Sequence, residues 1–192
     1  LGLFVQQALG VQGPALTLST ACSSSAKGFA VAQRWLALGL VDAVVVGGAD
    51  SLCDSVLFGF NALQLVAPGA CQPFDVARRG INLGEAAGFA LLLREGDAPR
   101  GCARLLGVGE SSDAHHLSAP QPGGVSIEAA VRQALAQAQL TPSDVDCINL
   151  HGTGTIKNDE AEAAMIARVF APTVHASSTK GCTGHTLGSS GI

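Results

Sequence analysis

The chain has 192 residues, a formal charge of -4 and an apolar fraction of 47%. Only 4% of it is aromatic, so its interior must be built mostly from Ala, Val and Leu. That charge, with no run of Lys or Arg, excludes a phosphate-binding nucleic-acid surface. No unbroken apolar stretch approaches the length needed to cross a bilayer, and no basic, then apolar, then cleavable leader opens the chain. A soluble, cytoplasmic protein is the expectation. Six cysteines are scattered without a C-x-x-C pair, which argues against a structural zinc site or a dithiol redox motif.

In chain order, Leu16 to Ala21 alternates like a strand and stops at Cys22-Ser23-Ser24-Ser25. Helical spacing follows from Ala26 to Leu40, so Cys22 is expected at a strand-to-helix turn. Ala43 to Val46, ending in Gly47-Gly48, reads as a strand buried on both faces, and Ala87 to Leu93 reads as a second. The polar stretch Ala98-Pro99-Arg100-Gly101 marks a boundary between residues 1–100 and 101–192.

The pattern then restarts. Ala103 to Val108 predicts a strand, and Ser126 to Leu140 an amphipathic helix with Ser126 as N-cap. Val145 to Leu150 predicts a strand running into His151-Gly152-Thr153-Gly154-Thr155. Asp159 to Phe170 predicts a helix, and Val174 to Ser178 a short strand before Thr179-Lys180-Gly181. Gly184 to Ile192 reads as the opening of a helix, so the chain is expected to be a piece of a longer protein. Alternating strands and helices predict an α/β protein of mostly parallel sheets covered by helices.

Several residues invite chemistry. A thiol at a helix start, as expected for Cys22, faces unpaired N–H groups that stabilise a thiolate or an oxyanion, although a Cys there can also merely fill space. His151 and His185 each follow a predicted strand or loop at a helix start, where a neutral imidazole can donate a hydrogen bond. Lys180 is either a surface lysine or a buried one needing a partner, and Glu162 on the helix after His151 is the candidate partner. His115-His116 are adjacent on an extended segment and point apart, so they are read as loop residues and not as metal ligands. Phosphate-loop, dinucleotide-loop and serine-hydrolase motifs are missing.

Three segments together resemble the active-site signatures of β-ketoacyl-acyl-carrier-protein synthases, and they come in that family's order. They are Thr20-Ala21-Cys22-Ser23-Ser24-Ser25, His151-Gly152-Thr153-Gly154-Thr155, and Ser178-Thr179-Lys180-Gly181-Cys182-Thr183-Gly184-His185. Pro73-Phe74-Asp75, Gly84-Glu85-Ala86-Ala87-Gly88 and Ser111 to His116 are also similar to family segments. The resemblance implies a thiolase-like fold, with αβαβα layers built from two similar halves, here incomplete at both ends. It further implies Cys22 as acyl-accepting nucleophile and His151 and His185 as the groups that assist decarboxylation and hold the enolate. Lys180 would organise the site with Glu162 as its acidic partner. Thr153 and Thr155 would bind the pantetheine arm, and Arg78 would lie near the carrier-protein dock.

The implied reaction is decarboxylative Claisen condensation in fatty acid biosynthesis, with no metal and no cofactor beyond the phosphopantetheine carried by the acyl carrier protein. The implied partners are that carrier and a second copy of the chain, or a chain-length-factor-like subunit. Two rival readings stand beside it: a ketosynthase of polyketide or aryl-polyene assembly, and a non-catalytic chain-length-factor-type subunit, which typically lacks the nucleophile. The family's C-terminal Gly-Phe-Gly-Gly segment is absent. Ile156-Lys157-Asn158 and Gly188-Ser189-Ser190-Gly191 differ from its commonest versions.

Overall fold

A computed structural model describes residues 1–116 and 118–192. In chain order the helices and strands are α1 Gly2–Leu9, α2 Ser24–Ala37, β1 Ala43–Asp50, α3 Asp54–Ala62, β2 Ala86–Leu93, α4 Val125–Ala138, β3 Cys147–Asn149, α5 Ile156–Val169, β4 His175–Ser177 and α6 Lys180–Thr183. Three single 3-10 turns add Glu95–Asp97, Pro142–Asp144 and Leu187–Gly191. The chain folds into two compact units whose membership does not follow the sequence linearly. The first holds Leu1–Asp50, Ala86–Ala103 and Leu187–Ile192, and the second Ser51–Glu85 and Arg104–Thr186.

In the first unit β1 and β2 pair antiparallel over their full length, with Val46 opposite Ala90 and Gly47 opposite Phe89. This corrects the expectation of a parallel pair buried on both faces. Side chains alternate between faces of a strand, so Val46 and Gly48 share one face and Val45 and Gly47 the other. Helix α2 covers the Val46 face, because Gly28 lets the helix approach until an added Cβ would lie 2.8 Å from Val46 Cγ1. On the opposite face Phe89 and Leu91 remain exposed. Ala30, Ala32 and Val46 form the small buried core, as expected of a chain rich in small apolar residues. The expected strand from Leu16 to Ala21 gains no ladder, only an isolated bridge between Thr20 and Cys22. Alternation proposes a strand, but a strand also needs a neighbour to take its N–H and C=O groups.

In the second unit β3 and β4 pair parallel, Ile148 opposite Ala176, as the sequence predicted for this half. Ile81, Leu150, Ala161, Met165 and Val169 are buried there. The apolar spacing of α5 puts Ala161, Met165 and Val169 on one face at intervals of four, which is why this segment is a helix and why that face is inside. The strand expected from Ala103 to Val108 does not form. The Val108 and Glu110 amides instead donate to the side-chain oxygens of Gln137 and Gln133, 2.6 and 2.7 Å away on α4. Helix α4 starts one residue earlier than expected, and its N-cap is Gly124, not Ser126. Residues 184 to 192 hold a 3-10 turn where a helix opening was expected. Helices α1 and α3 carried no distinct sequence signal. Among the described residues no helix is long and apolar enough to cross a membrane.

Candidate active site

The second unit gathers six of the expected residues, His151, Thr153, Thr155, Glu162, Lys180 and His185, on the segments that leave β3 and β4. The β3–β4 ladder is extended by one bond, Leu150 N–H to the Ser177 carbonyl at 2.7 Å, and the chain then turns into the loop of residues 151 to 155. Glu162, buried in the second turn of α5, holds that loop from within. One of its carboxylate oxygens accepts the His151 amide at 2.6 Å and the other accepts the Gly152 amide at 2.7 Å and Asn158 Nδ2 at 2.8 Å. Burial pushes the Glu162 carboxyl up from the ordinary range while these donors pull it down.

Asp159, one turn earlier on α5, does the same for the far side of the loop and is 1% exposed. It accepts the Gly154 amide at 3.2 Å and the Phe74 amide at 2.7 Å, so it joins the 151–155 loop to the segment around Phe74. Cys71 adds a third tie, its thiol donating to the Thr153 carbonyl at 3.2 Å. Gly80 donates its amide to the Gly154 carbonyl at 3.0 Å. The two segments lie so close that a Cβ on Gly154 would stand 2.6 Å from the Gly80 oxygen, and its φ of +73° also disfavours a side chain. The Thr153 and Thr155 hydroxyls lie 2.8 Å apart, hydrogen-bonded to each other.

His185 is 1% exposed and is clamped through its backbone: its amide donates to Asn82 O at 2.7 Å, and its carbonyl accepts the Gly84 amide at 3.0 Å. Its ring meets that of His151 edge to face, centroids 5.1 Å apart. Burial, then the positive charge of Lys180, then His185 push the His151 imidazole down to about 3 from its ordinary 6.5. His151 is therefore neutral at physiological pH, chiefly because it is desolvated, whereas the sequence had pointed to a helix start as the cause. Lys180 opens α6 and is buried, not on the surface. Ser178 Oγ receives its amide at 3.2 Å and donates to Gly152 O at 3.1 Å, tying the lysine's turn to the histidine loop.

Arg78 is turned inward, its side chain 15% exposed, with Asp159 at 3.7 Å and Glu160 at 3.6 Å. The guanidinium expected near a carrier dock is thus engaged with the same carboxylate that organises the loop. Sequence reasoning missed Asp159, Asn158, Cys71 and Asn82. One signal was available for the first: Asp159 and Glu162 are three apart on α5, hence on one face, directly after the His-Gly-Thr-Gly-Thr segment.

In the first unit Cys22 is half-buried and sits one residue before the N-cap of α2, Ser23, close to the expected helix start. The serines after it do not cap the helix. Ser23 Oγ donates to Thr20 O at 2.8 Å, and Ser24 Oγ donates to Ala21 O at 2.6 Å, so both brace the turn that presents the sulfur. Ala21 occupies a left-handed conformation at φ 51°.

The second unit thus holds two imidazoles in ring contact, His151 neutral and His185 buried, beside a carboxylate-held Gly/Thr loop, and the first unit presents a half-buried cysteine on a serine-braced turn before a helix. Comparison with known proteins agrees. Residues 4–98 match the N-terminal domain of beta-ketoacyl synthases and residues 102–192 the C-terminal domain, and the chain belongs to this family. It is 43% identical to Nodulation protein E of Rhizobium leguminosarum bv. trifolii, covering 94% of this chain and 46% of that protein. It is 36% identical to 3-oxoacyl-[acyl-carrier-protein] synthase 2 of Rhizobium meliloti (strain 1021), again over 94% of this chain and 46% of the relative. A solved ketosynthase, ApeO in complex with its chain length factor ApeC from Xenorhabdus doucetiae, matches with TM-score 0.94 and 48% identity over 99% of this chain and 47% of that one. The chain spans about half the length of the relatives it matches. Its fold class is the α/β, thiolase-like ketosynthase fold.

Proposed function

We propose that the complete protein is a ketosynthase that extends an acyl chain by decarboxylative Claisen condensation. The observation that carries the reading is the His151–His185 pair in ring contact, with His185 buried and His151 held neutral. Loss of carbon dioxide from a malonyl thioester leaves its electron pair as an enolate, whose charge gathers on the thioester oxygen. Neutral N–H donors stabilise that oxygen without first giving up a proton. Cys22 takes the acyl group from its carrier: the sulfur–acyl bond forms, and the carrier thiol leaves with the proton. The enolate carbon then attacks the acyl carbonyl, the Cys22 thiolate departs, and the 3-oxoacyl product leaves on its carrier. Lys180 sets the charge around His151, and Glu162 holds the loop. Thr153 and Thr155 offer hydroxyls to the pantetheine arm. The reaction so written calls on no resident metal or cofactor, and it fits a cytoplasmic protein working with acyl carrier protein.

Fatty-acid elongation was the first expectation for the pathway. Identity is higher to Nodulation protein E and to a ketosynthase solved with a chain length factor than to 3-oxoacyl-[acyl-carrier-protein] synthase 2, which supports specialised, polyketide-type assembly instead. The same likeness supports a chain-length-factor-like subunit as the partner in place of a second copy.

The test is intact-mass analysis of the complete protein after incubation with an acyl-acyl carrier protein. One acyl adduct on the wild type and none on Cys22→Ala is expected. An adduct on another cysteine, with Cys22 untouched, would falsify the assignment. Repeating the assay with short, long and polyenoyl chains separates the pathways.

A further inference from the structure

The segment Gly188-Ser189-Ser190-Gly191, which departs from the commonest family version, packs against the Cys22 turn within the first unit. Ser190 Oγ lies 3.2 Å from the Cys22 carbonyl and 2.7 Å from the Leu187 carbonyl, so its single proton is shared between the turn and its own segment. That segment is itself anchored on both sides of Ser190. The Ser189 amide donates to Asp50 Oδ2 at 2.7 Å, and the Gly191 amide donates to the buried Ser25 Oγ at 2.9 Å.

The turn needs such support. Ala21 stands at φ 51°, a conformation that costs an L-residue free energy and persists only where its surroundings over-determine it. Ser23 and Ser24 fix the residues before Cys22 by binding the Thr20 and Ala21 carbonyls. Ser190 fixes the peptide that follows it. With both flanking peptides held, the direction of the Cys22 side chain and of its amide is set before any substrate arrives.

We propose that Ser190 is a positioning residue for the Cys22 nucleophile, acting through the Cys22 carbonyl on a segment pinned by Asp50 and Ser25. The inference rests on the reading of Cys22 as the acyl acceptor. Losing one neutral hydrogen bond from a preorganised turn corresponds to about fivefold to tenfold in rate.

The test uses the complete protein as wild type, Ser190→Ala and Ser190→Thr. Acyl transfer onto Cys22 is followed by rapid-quench mass analysis, and alkylation of Cys22 by iodoacetamide by peptide mapping. Ser190→Ala is expected to slow both reactions about fivefold to tenfold, with KM for the acyl-carrier substrate unchanged. Ser190→Thr, which keeps the hydroxyl, restores both rates. Unchanged rates in Ser190→Ala overturn the proposal, and so does a Thr variant as slow as the Ala variant. If Ser190→Ala does not fold, the Thr variant decides: wild-type rates support positioning, and slow rates overturn it. The alkylation rate reads the sulfur's presentation whether or not it carries acyl groups. A wild type that is never acylated therefore refutes the proposed function, while the alkylation series still decides the role of Ser190.

Discussion

His151 and His185 meet edge to face, their ring planes at 89° and centroids 5.1 Å apart, with both rings in a largely dehydrated part of the second unit. Two imidazoles at that distance cannot both carry charge cheaply. Burial, Lys180 and His185 together hold His151 neutral down to about 3. Above the ordinary value of 6.5 the residue is neutral in folded and unfolded chains alike, and stability does not depend on its titration. Below 6.5 the unfolded chain takes a proton that the native state refuses, so stability falls as the pH falls toward 3. Between pH 7 and pH 5 the loss attributable to His151 is about 2 kcal/mol. Urea denaturation of wild type and His151→Asn at the two pH values measures it: the variant should show the smaller decline. Decarboxylation of a malonyl thioester should likewise show no acid limb near 6.5.

Replacing Glu162 with Gln keeps the shape and removes the charge, yet it should destabilise. Both carboxylate oxygens accept backbone amides, from His151 and Gly152. A glutamine offers one oxygen, and its NH2 must then face an N–H donor. The expected loss is about 1–3 kcal/mol, read as a lower denaturation midpoint.

Asp159→Ala removes the acceptor shared by the Phe74 and Gly154 amides and leaves the inward guanidinium of Arg78 without its buried partner. A loss of about 3 kcal/mol or more is expected, and hydrogen exchange should show the Gly154 and Phe74 amides opening together. Independent opening of the two would show that Asp159 does not couple them.

Gly154→Ala adds one methyl group where the backbone is left-handed and the Gly80 oxygen would lie 2.6 Å away. A cost of about 2 kcal/mol or more follows from the conformation and the overlap. Activity should fall further than stability, because the histidine loop must shift to make room. Equal melting temperatures for variant and wild type would count against this account.

Cys71 is buried, its thiol donating to the Thr153 carbonyl, and burial pushes that thiol up from its ordinary value. Native-state alkylation at pH 8 should therefore modify it last of the six cysteines, with the exposed Cys53 and Cys182 well ahead. Peptide mapping against a time course gives the order.

Much of this was legible in the residues. The helices α2, α4 and α5 follow from apolar spacing, and β1 and β2 from runs of Ala, Val and Leu. The convergence of His151, Glu162, Lys180 and His185 follows from motifs placed where strands end. What periodicity does not encode is pairing. Ala103 to Val108 has the composition of a strand, but the nearby Val108 amide goes to Gln137, and no local pattern announces that choice. The direction of β2 against β1 is equally silent, because an antiparallel and a parallel partner want the same side chains. Asp159 was read only as the first residue of a helix, since a carboxylate in a first turn has an ordinary explanation in the helix dipole. Its burial depends on Phe74, which lies 85 positions away in sequence.

Such separations also govern how the chain comes together in time. The Cys71–Thr153 tie spans 82 positions and the Cys22–Ser190 tie spans 168, and the first unit draws Leu187–Ile192 across the whole intervening second unit's sequence. Helices close within microseconds, but latches of this span must wait for the intervening chain to be synthesised and for large loops to be closed. A nascent chain halted before residue 185 would hold its helices but lack both His185 and the Ser190 latch on the Cys22 turn.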